Sequence, residues 1–137
     1  MAAIIGLSIV VIKGEKSGLP HGVMAINVDD GAVRWIVRTN AWHPMINTAG
    51  TQLVADTTNP DVGLILCDPR QTDGPYQSLC ESAASNMGEH WCCDHCPYDD
   101  GPLQIYAPQH THPHPNFSSD GKRVVFTSDR TGTAQVY

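Results

Sequence analysis

The sequence predicts an all-β fold of short antiparallel strands. Several short segments are rich in Val, Ile and Leu and are separated by turn residues, a pattern typical of strands. They are residues 4–13, 22–28, 32–37, 52–56, 62–67, 123–127 and 134–137. Between them, Gly31, Gly50, Gly74, Gly121 and Gly132 occupy turns in which glycine supplies the positive φ of a tight hairpin. No stretch has the apolar spacing of an amphipathic helix, so the order of elements indicates a meander.

Composition and charge argue against two classes of partner. Eight Lys and Arg among 137 residues, with a net charge of −6, leave no basic stripe for nucleic acid. The longest apolar run, residues 2–12, is shorter than the roughly twenty residues that span a bilayer, and it lacks the features of a secretory signal. Five cysteines, an odd number, favour a reducing compartment over a disulfide framework. We therefore expect a cytoplasmic protein with no membrane and no nucleic-acid partner.

An internal repeat refines the fold class. HPMINTAGTQLVADT, from His43, aligns without a gap with HPNFSSDGKRVVFTSD, from His114, and the alignment matches Gly50 with Gly121. The second copy resembles a blade of TolB-like and WD40-like β-propellers. Propeller blades are four-stranded units of about forty residues. Since the copies lie 71 positions apart, we predict one blade plus an inserted excursion at about residues 81–108.

The expected domain is therefore part of a propeller. Residues 1–137 are predicted to form a fragment of a single β-propeller domain, about three antiparallel four-stranded blades with boundaries near residues 43 and 112. Repeat units bury their faces against neighbours, so an incomplete array exposes strand edges. We expect those edges to favour self-association.

The segment QHTHPHP, residues 109–115, carries the clearest chemistry. His112 and His114 each precede a proline, which predicts extended backbone at both and places both side chains on one face. Gln109 offers an amide oxygen from the same loop. His43 occupies in the first copy the position of His114 in the second, and equivalent positions of propeller blades converge on the central channel. Three imidazoles and an amide oxygen are a plausible divalent metal site.

Alternative interpretations remain open. His-Pro steps at blade starts also serve as packing elements in TolB-like repeats. The run Cys92-Cys93-Asp94-His95-Cys96 contains a Cys-x-x-Cys that could hold zinc with Cys80 or His90, although free or partly buried thiols in a loop are the favoured explanation. A cupin metal motif also begins with His-x-His, but it leaves the repeat unexplained.

These motifs resemble the oligogalacturonate lyases. Gln109-x-x-His112-Pro-His114-Pro, followed by a Thr-Ser-Asp strand end, resembles their C-terminal blades, and His43-x-Met45-x-Asn47-x-x-Gly50 resembles the preceding metal blade. The resemblance implies a seven-bladed propeller that binds Mn²⁺ through His43, Gln109, His112 and His114 and cleaves pectin-derived oligogalacturonides by β-elimination. His110 falls at a variable position of the pattern and is not assigned.

The same resemblance leaves the catalytic residues unassigned. The family's general base and charge-stabilising Arg belong to earlier blades, so we expect the base to lie upstream and the isolated chain to be inactive. Arg38 could meet an acidic sugar, and Trp42 could stack on a pyranose ring. The alternative function is a non-catalytic TolB-like binding module, and metal binding separates the two hypotheses.

Overall fold

The computed structural model describes residues 7–12, 21–57, 61–85 and 111–137, with side chains from residue 21 onward. These residues form strands and turns, and none of them is helical. No helix within these ranges could therefore cross a lipid bilayer. The strands are β1 (Leu7–Ile12), β2 (Gly22–Asn27), β3 (Val33–Val37), β4 (Ala41–Ile46), β5 (Leu53–Thr57), β6 (Leu64–Cys67), β7 (Tyr76–Cys80), β8 (Asn116–Phe117), β9 (Val124–Val125), β10 (Thr127–Ser128) and β11 (Gln135–Val136).

All the strand pairs in these ranges are antiparallel, so the predicted all-β antiparallel fold is confirmed. One sheet has the order β1-β2-β3, a second has four strands in the order β4-β5-β6-β7, and β8-β9 and β10-β11 form two-stranded pairs. Two strands of the larger sheet, β4 and β7, were not predicted. β4 contains Pro44, and β7 is an exposed strand without a β-branched residue, so neither has a strong strand pattern.

The core lies between the first two sheets. β2 and β3 contribute Val23, Ala25, Ile36 and Val37, and the larger sheet contributes Ala41, Leu53, Ala55, Ile65 and Cys67. β4 contacts β1 and β2 of the first sheet and also β8. Burial raises the pKa of the Cys67 thiol to about 11, with the charge of Asp68 acting in the same direction, so Cys67 is a packed thiol rather than a reactive one.

The two copies of the repeat share one turn geometry. In the first copy, the backbone amide of Asn47 donates to the Gln52 carbonyl, and the Asn47 carbonyl accepts from the Gly50 amide, at 2.9 Å each. In the second, Ser118 makes the equivalent bonds to Arg123 and Gly121, at 2.9 and 2.8 Å. Gly50 and Gly121 have φ values of 69° and 68°, as the sequence predicts. The alignment therefore corresponds to a repeated hairpin.

One predicted glycine turn is built differently. At the Asp73-Gly74 step the positive φ, 49°, belongs to Asp73 and not to Gly74. An aspartate tolerates this conformation better than most residues with a side chain. The turn is held against β3, because the amides of Asp73 and Gly74 donate to the carbonyls of Trp35 and Ile36 at 3.1 and 2.9 Å.

The start of the predicted excursion is anchored to the second copy. The Ser128 hydroxyl donates to the Ala83 carbonyl at 3.0 Å, and the Ser85 amide donates to the Asp129 carboxylate at 2.9 Å. The Thr111 amide in turn donates to the Ser85 hydroxyl at 3.1 Å. Residues 81–85 and Thr111 therefore meet at a hydrogen-bonded neck, whereas residues 86–110 lie outside the described part of the chain.

Arg130 also holds residues 81–85 against the C-terminal hairpin. Its guanidinium donates to the carbonyls of Glu81 and Ser82, at 2.9 and 2.8 Å. It also lies over the rings of Tyr137 and Phe126, at 4.7 and 5.4 Å from their centroids. The contacts join residues at the start of the excursion to the C-terminal hairpin.

Replacing Arg130 with Ala should lower the free energy of unfolding by about 1–2 kcal/mol, because two charge-assisted hydrogen bonds and two cation–π contacts are lost. Urea denaturation followed by circular dichroism measures the change. Arg123→Ala is the matched control: Arg123 is exposed, and its turn bonds are made by the backbone. Equal stability of both variants would contradict this role for Arg130.

Candidate metal centre

Three imidazoles meet where β4 approaches the second copy of the repeat. Each of His43, His112 and His114 offers a ring nitrogen, and these atoms lie within 4.8 Å of one another. The rings of His43 and His114 are stacked with centroids 3.6 Å apart, and His112 lies edge-on to His43 at 5.6 Å. Side chains 69 and 71 positions apart in the sequence thus share one site.

A β-bulge in β4 directs the His43 ring. The β4–β5 ladder pairs Trp42 with Asp56 and Met45 with Val54, so His43 and Pro44 together face Ala55. His43 has a φ of 37°, the left-handed conformation that glycine often supplies in such bulges. The proline after it removes a donor from the ladder. The bulge turns the imidazole away from the direction that a regular strand would give it.

The second copy repeats this bulge at His114. The Thr127 amide donates to the Pro113 carbonyl at 2.8 Å, and Asn116 pairs with Val125, so His114 and Pro115 face Phe126. The φ of His114 is 41°. The prediction that a following proline holds His114 extended is therefore wrong: the bulge overrides the pre-proline preference. The ring nevertheless joins that of His112, with centroids 5.7 Å apart.

The buried carboxylate of Asp56 contacts the His43 imidazole. Nδ1 of His43 lies 2.9 and 3.1 Å from the two carboxylate oxygens of Asp56. Asp56 is 2% exposed, on β5. Asp56 was not among the candidate residues predicted from the sequence. The signal that was available is the hairpin itself, because a turn at residues 47–52 brings position 56 beside position 43.

The electrostatics favour the neutral form of His114. Partial burial lowers the pKa of His114 from its ordinary value, and the neighbouring His43 lowers it further, while Asp56 opposes both effects. Neutral imidazole is the form that ligates a metal. His114 therefore presents a nitrogen donor rather than a fixed positive charge.

The donor set fits a first-row divalent cation. Imidazole nitrogens suit zinc, iron, nickel and copper, and carbonyl or carboxylate oxygens suit manganese. The fourth predicted ligand, Gln109, lies outside the described residues, as do His110, His90 and the cysteines at 92, 93 and 96. Three of the four predicted ligands are thus placed together, and the Cys-x-x-Cys alternative stays untested.

The two residues predicted to bind substrate have other contacts. Nε1 of Trp42 donates to Oδ1 of Asn40 at 3.1 Å, and its indole lies edge-on to His43 with centroids 5.9 Å apart. Arg38 lies 4.6 Å above the Trp35 ring and donates to both carboxylate oxygens of Asp73, at 2.7 and 3.2 Å. Trp42 therefore packs beside the cluster, and Arg38 is ion-paired with the β6–β7 loop.

Comparisons with protein-family models, curated proteins and solved structures gave no match to this chain. Any function must accordingly be argued from the histidine cluster, from its supporting contacts and from the sequence motifs.

The His114 imidazole should titrate below its ordinary pKa of about 6.5. His43→Ala should move this pKa upward, because a neighbouring imidazole that lowers it is removed. Between the folded and unfolded pKa values the unfolded chain binds more protons, so this shift makes the free energy of unfolding rise with pH. A two-dimensional NMR titration of the ring carbons measures the His114 pKa in the unsubstituted protein and in His43→Ala. A pKa above 6.5 in the unsubstituted protein would contradict the account.

Proposed function

We propose that the chain forms a metal centre from His43, His112 and His114 and that this centre serves β-elimination of an acidic sugar polymer. The lyase part of the proposal comes from the resemblance to oligogalacturonate lyases. The observation that carries the metal part is the convergence of three ring nitrogens within 4.8 Å. On this proposal Gln109 is the fourth ligand, and Mn²⁺ is the cation that the resemblance implies.

The proposal includes a propeller in which β4 and β8 are the inner strands of neighbouring blades. Three observations support it: the four-stranded antiparallel sheet begins with β4, β4 packs against both β1 and β8, and a His-Pro bulge lies within β4 and another directly before β8. Equivalent inner-strand positions face the axis of a propeller. His43 and His114 would then meet at that axis, and the Arg130 neck would join two successive blades.

The chemistry of the site suits an acidic sugar. A cation held by neutral imidazoles keeps its full charge and, when bound, would neutralise the carboxylate beside the carbon that loses its proton. The residues of this chain supply the donors and orient them. His43 is directed by its bulge and by Asp56, and the edge-on Trp42 ring flanks it.

The described residues around the cluster do not supply an evident base for the substrate proton. Asp56 is buried and already faces Nδ1 of His43, and Arg38 is held by Asp73. A second candidate is therefore a module that uses the centre to bind an acidic sugar without turnover; unlike the TolB-like module of the sequence analysis, it requires the cation.

Alanine at both His112 and His114 should abolish Mn²⁺ binding measured by isothermal titration calorimetry, because two of the three placed donors are lost. His21→Ala, a histidine substitution outside the cluster, is the control and should bind as the unsubstituted protein does. Binding that survives the double substitution would contradict the metal centre.

Absorbance of unsaturated products, measured with oligogalacturonide and Mn²⁺ on a longer chain that includes the upstream blades implied by the resemblance, tests the lyase part. Turnover that disappears in the His112/His114 double variant supports the lyase. Mn²⁺ binding without turnover supports the binding module, and turnover that survives the double substitution contradicts a catalytic role of the centre.

A further inference from the structure

We infer that Asp56 is a positioning residue that fixes the tautomer of His43 and directs Nε2 of that ring toward the bound cation. The inference rests on the proposed metal centre and adds a residue that is not itself a ligand. It starts from the contact between the Asp56 carboxylate and Nδ1 of His43, at 2.9 and 3.1 Å.

The contact determines where the ring proton lies. An ionised carboxylate has acceptor sites and no proton to donate, so a hydrogen bond to it requires Nδ1 of His43 to carry the proton. Nε2 of the same ring then has a lone pair. A metal-bound histidine commonly has this arrangement, with its other nitrogen donating to a carboxylate that raises the basicity of the ligand.

The position of Asp56 makes the contact rigid. β5 lies inside the larger sheet, between β4 and β6, and all five of its residues are buried. The Asp56 side chain is 3% exposed, whereas that of His43 is 28% exposed. A carboxylate so far from water is costly unless it is hydrogen-bonded or paired. The imidazole N–H satisfies this requirement and is oriented by it.

The second copy of the repeat lacks this support. The position equivalent to Asp56 is Thr127, and its amide donates to the Pro113 carbonyl. His114 is also the exposed member of the cluster. The repeat therefore assigns unequal roles to two equivalent rings: His43 is held in a fixed tautomer and orientation by its own hairpin, and His114 has no carboxylate at the corresponding position.

Asp56→Asn tests this role because it keeps the size of the side chain and removes its charge. An amide can donate to Nδ1 as well as accept from it, so the required tautomer is no longer enforced. Loss of such an outer-shell carboxylate typically lowers metal affinity by about 10–100-fold. Asp73→Asn is the matched control, since it removes the same charge from an exposed ion pair with Arg38.

Two measurements are made on the full chain. Titration calorimetry with Mn²⁺ compares the unsubstituted protein, Asp56→Asn and Asp73→Asn, after circular dichroism has shown that each is folded. Long-range ¹H–¹⁵N NMR of the metal-free unsubstituted protein reads the His43 tautomer directly, and this readout does not depend on the stability of any variant.

The inference expects the Nδ1–H tautomer at His43, an affinity about 10–100-fold weaker in Asp56→Asn and an unchanged affinity in Asp73→Asn. An Nε2–H tautomer in the unsubstituted protein overturns it. So does equal Mn²⁺ affinity in Asp56→Asn and the unsubstituted protein, a result that leaves the proposed metal centre intact. Absence of Mn²⁺ binding in the unsubstituted protein overturns the metal centre together with this role.

Discussion

The site depends on two β-bulges in which a histidine adopts a left-handed backbone conformation. His43 and His114 have φ values of 37° and 41°, and a side-chain-bearing residue in that region costs on the order of 1–3 kcal/mol. Each bulge is bounded by ladder or turn hydrogen bonds on both sides. These hydrogen bonds stabilise the hairpin and offset the conformational cost of the bulge. Because of the bulges, the His43 and His114 rings do not follow the regular alternation of side chains along a strand, and they stack with centroids 3.6 Å apart.

The cluster adds to the contacts between the four-stranded sheet and the second copy of the repeat, which also meet where β4 packs against β8. His43 belongs to the four-stranded sheet, whose buried residues form the main core. His112 follows Thr111, which is buried and bonded through Ser85 to Asp129 at the neck. The distances between the imidazoles consequently depend on the position of the second copy of the repeat relative to the first. Binding of a cation at the cluster would stabilise that relative position by mass action.

The sequence predicted the all-β fold and the histidines that meet, because strand periodicity and the gap-free repeat are both local signals. It did not predict β4, since Pro44 interrupts the pattern, nor the left-handed backbone of His114, since a bulge depends on the partner strand and not on the dipeptide. Asp56 was missed for a related reason: its role depends on which face of β5 the carboxylate occupies. The pairing of Arg38 with Asp73 was not predicted either, because it involves a loop 35 residues away.

An anomalous difference map from a crystal soaked in Mn²⁺ and recorded near the metal edge tests the central claim most directly. The account predicts a single strong peak about 2.0–2.3 Å from one ring nitrogen each of His43, His112 and His114, a distance usual for first-row divalent ions. On His43 the contacting atom should be Nε2. A peak bound elsewhere, with the three imidazoles unliganded, would contradict the account.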